Sequence, residues 1–200
     1  MFFGYRRDVL AESAARWLLV LHTAVGVAAV GAATHLVLWL RRYLRGGAGK
    51  RRAVIRFAYL VLALQLAAFV AGNVMYPTYK VEVRAAYLEN APAIAAQEAE
   101  RARAIERVAE REHAHAYEPT ATAELVRRAA QAARWFDVKE HWIALGILVS
   151  IALVVVLSVW DPQQGGAVIK PIVMSLAFVV AGSVWFGSIV GVLTASWRAV

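Results

Sequence analysis

Four long runs of apolar residues constrain this chain more than any other feature of its sequence. They cover residues 15–40, 54–76, 142–160 and 171–197. A helix needs about 20 apolar residues to cross the hydrocarbon core of a bilayer, and each run comes close to or exceeds that length. Tryptophans occur at several edges of the runs, where amphipathic rings favour the headgroup region. The sequence therefore predicts an all-α membrane protein, a bundle of four transmembrane helices in a lipid bilayer.

The distribution of basic residues predicts membrane topology rather than nucleic-acid binding. The net charge is +8, and seven of the 22 basic residues lie between positions 41 and 56. A basic loop next to apolar runs attracts lipid headgroups and remains cytoplasmic. We therefore expect a multi-pass protein of a bacterial-type inner membrane, with the loop 41–53 cytoplasmic and with both termini and the long loop outside. Arg6, Arg7 and Arg16 weigh against this orientation.

The stretch 77–141 predicts an extramembrane helical hairpin between the second and third spans. The residues after Pro77 are expected to extend the second helix outward, with a kink at the proline. The stretch is rich in Ala, Glu and Arg, which favour helix. Pro119 interrupts this pattern, and Thr122 is placed to cap a second helix that continues into the third span. The chain thus divides into residues 1–76 with two spans, the hairpin 77–141, and residues 142–200 with two spans.

Two histidines in the first apolar run point to a cofactor. His22 has Gly26 four residues after it, and His35 has Gly31 four residues before it. Ionisable side chains are costly inside a membrane and indicate functional sites there. Neutral imidazole is a common ligand of haem iron, and a glycine beside it lets a flat macrocycle approach the helix backbone. The arrangement resembles a helix of the transmembrane b-type cytochromes, in which two histidines of one helix ligate two haems stacked across the bilayer.

The resemblance implies an electron-transfer protein that binds haem b. Such a protein is expected to be a non-catalytic subunit of a larger respiratory or redox complex rather than an enzyme. For an outer haem at His22, the expected second ligand is His141 at the start of the third span. For an inner haem at His35, Met174 of the fourth span would have to complete the pair. The basic residues expected at the inner rim, where they would pair with haem propionates, are Arg41 and Arg42.

Helical geometry favours one haem over two. Thirteen residues separate His22 from His35, which corresponds to about 20 Å along a helix axis. Thirteen steps of about 100° turn the two side chains roughly 140° apart, so they do not share one seam of a bundle. We therefore expect an outer site at His22. Without a haem, we expect His22 to hydrogen-bond a backbone carbonyl or a hydroxyl group, and His35 to be packed or interfacial.

A polar stretch at the end of the second span forms another candidate site. The stretch 72–84 contains Asn73 and Tyr76, and the sequence DVKEH (137–141) precedes the third span. If the second and third spans are antiparallel neighbours, these groups would meet. The cluster would then be a quinone head-group pocket, the rim of a cofactor, a point of proton uptake, or a hydrogen-bonded collar that attaches the hairpin to the bundle.

Two alternative functions remain open at this stage. In the first, the protein has no redox role and its outer hairpin docks a partner subunit. In the second, it is a small transporter or enzyme subunit with a polar site near Asn73 and His141. The fourth span carries Gly187 and Gly191, a spacing that permits close helix packing, either within the chain or against another subunit.

Composition and spacing exclude several kinds of site. The chain contains no cysteine, which rules out disulfides, thiolate-held zinc and iron–sulfur clusters. No nucleotide-binding loop or nucleophile–base pair occurs in the sequence. His113 and His115 are two positions apart, which turns them about 200° from each other on a helix. We therefore expect them at a solvated helix end rather than on one metal ion.

Overall fold

The computed structural model describes residues 15–46, 51–112, 118–161, 166 and 168–196. Within these ranges the chain is helical and contains no strand, which confirms the predicted all-helical class. Arg6, Arg7, His113 and His115 lie outside the described residues. The helices are α1 (Ala15–Leu44), α2 (Arg51–Thr78), a π-helical segment (Tyr79–Leu88), α3 (Ala91–Glu112), α4 (Thr122–Val159) and α5 (Ile169–Ser196).

The four predicted spans are present as four helices long and apolar enough to cross a membrane. Large apolar side chains cover the outside of this structure, and Val27, Leu148 and Val192 are 68%, 64% and 68% exposed. So extensive an apolar exterior is stable in lipid rather than in water. The fold is therefore that of a multi-pass membrane protein. The candidate spans are Trp17–Leu44, Arg51–Leu88, Thr122–Val159 and Ile169–Ala195.

The four long helices pack as a bundle with unequal ends. α1 packs against α2 and α5, and α4 packs against the same two helices, so α1 and α4 occupy opposite corners. We call the end where α1 stops and α2 starts the basic end, and the opposite end, with the π-helical segment and residues 137–141, the polar end. Most of the largest fully buried side chains, such as Leu36, Leu40 and Leu153, lie in the half nearer the basic end.

The second span extends outward past Pro77, as predicted, but it passes into a π-helix instead of continuing as an α-helix. α2 runs through Pro77 to Thr78, and the π-helical segment follows directly. Its last turn closes with a hydrogen bond from the Glu89 N–H to the Arg84 carbonyl, five residues back, at 2.9 Å. Proline has no N–H to donate to the carbonyl four residues before it, so the α-helical pattern is already interrupted at this point. π-Helical turns frequently occur at functional sites.

α3 and the first turns of α4 form a small second core. Ile94 of α3 packs against Leu88, Ala129 and Ala133. The predicted helix break is observed, because Glu118–Ala121 are not helical. The predicted cap is wrong by one residue, since Ala121 occupies the cap position and no side chain caps α4.

Candidate functional site

His22 lies half-buried where α1 meets α2. Its Nδ1 is 2.9 Å from the Ala68 carbonyl oxygen on α2. One turn further along α2, a Cβ on Gly72 would lie 3.4 Å from His22 Cε1, an ordinary contact distance, so the ring packs against Gly72. When Nδ1–H donates to the carbonyl, Nε2 carries the lone pair that can bind a metal ion. The glycine beside His22 is thus Gly72, whereas the space beside Gly26 is open.

Lys139 of α4 brings a cation close to His22 across the bundle. It lies within electrostatic range of the imidazole, and its Nζ is 4.6 Å from the centroid of the Phe136 ring. The same Nζ lies 3.8 Å from the position that a Cβ on Gly191 of α5 would occupy. Among the described residues, Lys139 forms no ion pair with a carboxylate. The site therefore holds an imidazole and an ammonium group that is not committed to an ion pair.

Aromatic side chains join the π-helical segment to α4. The rings of Tyr79 and Phe136 stack with their centroids 4.0 Å apart, and Tyr76 lies 6.3 Å from Tyr79. The hydroxyl oxygens of Tyr79 and Thr78 are buried and have no hydrogen-bond partner in the structure. A buried hydroxyl without a partner is costly, so such a group indicates a position that a water molecule or a ligand completes.

Arg84 attaches the π-helical segment to α4 through charge. Its Nη1 lies 2.7 Å from Asp137 and its Nε 2.6 Å from Glu89. The structure therefore brings together part of the polar stretch 72–84 and part of the sequence DVKEH. Arg84 and Asp137 lie at the two ends of the stretch 77–141, so this contact joins those two ends, and the collar between the hairpin and the bundle stays a prediction.

Two residues expected in this cluster lie outside it. Asn73 is exposed and donates a hydrogen bond of 2.8 Å to the Phe69 carbonyl. His141 is also exposed, and its Nδ1 lies 2.8 Å from the Asp137 carbonyl. Of the sequence DVKEH, Lys139 is the residue that acts electrostatically on His22.

The residues predicted for an inner haem are separated by the packing near the basic end. His35 is exposed, with Nδ1 2.9 Å from the Gly31 carbonyl, and the space beside Gly31 is open. Met174, in contrast, packs partly buried against the main core. Leu36, next to His35, is 1% exposed and fills the interior at this level. Arg41 and Arg42 are exposed on the outside of α1.

A buried polar cluster in the middle of the bundle was not predicted as a site. Gln65 is 3% exposed, and its Oε1 accepts a hydrogen bond from Ser150 of α4. Its Nε2 is buried without a partner. Ser183 of α5 lies on the same side of α4, since a Cβ on Gly146 would contact Ser183 and would lie 3.9 Å from Gln65 Nε2. The sequence signal for this cluster is Gln65 itself, a lone amide in the body of an apolar run.

The fold and the polar end together define a helical membrane bundle with an ionisable cluster at one end. Among the described residues, no group of three His, Asp or Glu side chains could hold a metal ion. No protein-family model, curated protein or solved structure matches this chain. The chemistry of the site is therefore what indicates a function for this chain.

Proposed function

We propose that the protein is a membrane-embedded electron-transfer subunit that holds one haem b through His22. The observation that carries the proposal is the 2.9 Å contact between His22 Nδ1 and the Ala68 carbonyl. It fixes the ring between two helices and leaves Nε2 as an iron ligand, as second-shell hydrogen bonds do for ligating histidines. Bound haem b would carry an electron by cycling its iron between the ferric and ferrous states.

Two further features of the polar end fit this cofactor. Gly72 contacts the imidazole, which therefore lies close to the backbone of α2. Lys139 is close to His22, forms no ion pair among the described residues, and would pair with a haem propionate. The half of the bundle nearer the basic end contains most of the largest buried side chains, so the polar half is the better location for a large ligand.

The other predicted haem ligands are less well placed than His22. The Nδ1 of His141 also lies against a carbonyl, which leaves its Nε2 free, but the residue is exposed. We propose it as the second ligand only where a partner subunit covers this face of α4. The exposed His35 and the core-packed Met174 do not fit a shared haem, and the proposal does not extend to a second haem.

The polar end also supports a quinone as the redox partner of the haem. The buried Tyr79 and Thr78 hydroxyls lack hydrogen-bond partners, and a quinone carbonyl is an acceptor that would satisfy them. If a quinol donates electrons here, Tyr79→Phe is expected to slow haem reduction by a quinol while the dithionite-reduced spectrum stays unchanged. Stopped-flow absorption measures the rate. An unchanged rate would remove Tyr79 from the quinone site.

Absorption spectroscopy of the detergent-purified protein tests the haem. With adequate haem supply during expression, we expect a Soret band that shifts on reduction with dithionite and a sharp α-band in the reduced form. His22→Ala is expected to abolish these bands. His35→Ala is the matched control, because this histidine lies on the same helix and also contacts a carbonyl, yet it is exposed. A colourless wild-type protein, or an unchanged spectrum in His22→Ala, contradicts the proposal.

A second candidate function is the docking of a partner on α3 without a redox role. Beyond its first turns this helix is mostly exposed, and alternating charges line an open depression on its surface. The charged residues of that depression are Glu100, Arg103, Glu106, Arg107 and Glu110. We propose that the hairpin 77–141 lies outside the membrane, and a colourless wild-type protein would make partner docking the leading function.

We further propose that the basic end faces the cytoplasm of a bacterial cell. Arginines are concentrated at this end of α1 and α2, and basic residues next to spans are retained on the cytoplasmic side. The polar end carries the acidic side chains that pair with Arg84, so its charge is more nearly balanced. This orientation places α3 on the outer side.

A further inference from the structure

Three arginines and a leucine form a stripe along one face of α1 at the basic end. Leu38, Arg41 and Arg42 follow the spacing i, i+3, i+4 and lie on the same side of α1, and Arg45 follows in the turn after Leu44. All four are exposed. Together with Gly46 they line a surface depression of about 490 Å³. We call this face the arginine stripe.

The charge of the arginine stripe is not neutralised within the described chain. None of its arginines takes part in a described ion pair. At the same end, Arg51 donates to the carbonyls of Leu157 and Ser158, and Asp161 accepts a hydrogen bond from Tyr43. Like charges three and four residues apart repel each other on a helix. The C-terminal end of α1 favours cations, but the partial charge there is far smaller than three positive charges.

The same face continues towards the membrane centre as an open apolar surface. Leu38 is 57% exposed, and one and two turns before it come the exposed His35 and the exposed Gly31. Nothing lies within 4 Å of the position that a Cβ on Gly31 would occupy. A molecule bound here would therefore meet guanidinium groups at one end and the exposed apolar surface of Leu38 and Gly31 at the other.

We propose that the arginine stripe binds an anionic phospholipid, with its phosphate at the arginines and an acyl chain along Leu38 and Gly31. Guanidinium groups match phosphate oxygens in pairs and are only weakly hydrated, which favours such contacts. The exposed apolar surface of Leu38 and Gly31 favours a lipid over a free anion. The site lies at the opposite end of the bundle from His22 and does not depend on the haem.

Native mass spectrometry in a neutral detergent tests this site without the field of a charged membrane. The probes are dioleoyl phosphatidylglycerol, dioleoyl phosphatidylcholine and inorganic phosphate, each titrated separately into the purified full chain. We expect the phosphatidylglycerol to bind more tightly than the phosphatidylcholine. Equal binding of the two lipids would overturn the proposal.

Two double variants distinguish lipid binding at the arginine stripe from non-specific attraction by positive charge. Arg41→Gln with Arg45→Gln is expected to weaken phosphatidylglycerol binding about 30-fold, because one arginine near an anionic lipid contributes roughly fivefold. Arg52→Gln with Arg56→Gln removes the same charge from exposed arginines of α2 at the same end, and is expected to change binding little. Equal losses in the two variants would mean that no specific site exists.

The variant Gly31→Leu tests the acyl-chain part of the proposal. The leucine side chain enters open space beside residue 31, so folding should be unaffected. It would occupy the surface on which the acyl chain is proposed to lie. We expect weaker phosphatidylglycerol binding and unchanged phosphate binding. If inorganic phosphate binds as tightly as the phosphatidylglycerol and Gly31→Leu has no effect, the stripe is a site for a free anion and the lipid proposal is wrong.

Discussion

At the scale of single residues, Gly146 of α4 lies in close contact with Ser183 of α5. A Cβ on Gly146 would lie 2.8 Å from Ser183 Cβ and closer still to the hydroxyl oxygen. Ser183 is 2% exposed and donates a hydrogen bond of 2.8 Å to the Val180 carbonyl. The side chain therefore has a bonded position, and only a glycine at 146 fits against it. Small residues allow such close packing of helices in membranes.

Gly146→Ala is expected to destabilise the bundle by about 1–3 kcal/mol, the usual cost of overpacking. α4 and α5 would have to separate, or Ser183 would lose its hydrogen bond. Equilibrium unfolding in mixed detergent micelles measures the change. Gly182→Ala is the control, because nothing lies within 4 Å of its added Cβ and alanine favours helix by up to about 1 kcal/mol. Equal stability of the two variants would contradict this account.

The glycine spacing in the fourth span predicts close helix packing but does not identify the helix that packs there. The sequence left open whether Gly187 and Gly191 pack within the chain or against another subunit. Gly187 lies against the Ile143 side chain of α4, and Gly191 lies beside Lys139. These glycines therefore serve packing within the chain. The pattern predicts close approach but not the partner, because any neighbouring helix satisfies the same local requirement.

At the scale of whole elements, α3 depends on a few contacts near its start. Ile94 is 2% exposed against Leu88, Ala129 and Ala133. The Asn90 side chain accepts a hydrogen bond from the Ala93 N–H at 3.2 Å, which caps the first turn. The later turns are rich in exposed charges. α3 is therefore attached mainly through one large apolar side chain.

Ile94→Ala is expected to release α3 while the bundle stays folded. Replacing a buried isoleucine with alanine costs about 2–5 kcal/mol, and a segment with few buried contacts opens locally before the whole protein unfolds. Limited proteolysis with trypsin, which cleaves after arginine, should then cut α3 faster.

Val108→Ala is the matched control for this experiment. Val108 lies on the same helix but is 50% exposed, so the cleavage rate should match that of wild type. Unchanged cleavage in Ile94→Ala, or unfolding of the whole bundle, would contradict the attachment described here.

At the scale of the whole molecule, the two ends of the bundle differ in packing and in charge. The half nearer the basic end contains most of the large buried side chains, whereas the polar end holds His22, Lys139 and the ion pairs of Arg84. A chain inserted with its basic loop in the cytoplasm would present the polar end and α3 to the outside. The orientation thus decides which compartment a cofactor at His22 would face.

The absence of cysteine from the chain makes this orientation directly testable. Val108→Cys should react with a membrane-impermeant maleimide added to intact spheroplasts, because α3 is expected outside. Arg52→Cys, an exposed position at the basic end, should react only after the membrane is permeabilised. The opposite labelling pattern would show that the arginines near the N-terminus, Arg6, Arg7 and Arg16, outweigh the basic loop.

The sequence by itself determined the class of fold and the approximate limits of the spans. Hydrophobicity over about 20 residues is a local property, so the apolar runs alone locate the helices. Helical periodicity also showed that His22 and His35 diverge, because their angular separation depends only on residue number. The sequence did not predict the π-helical turns after Pro77, because a proline predicts an interruption of the α-helix but not which helical pattern follows it.

Only the tertiary structure decided what lies beside each histidine. It turned His22 towards the Ala68 carbonyl and left His35 on the exterior. It also placed Gly72 and Lys139 near His22, in place of the expected Gly26 and His141. These neighbours depend on how each helix is rotated about its own axis against the others. That rotation is set by packing between segments far apart in the chain, and no local pattern encodes it.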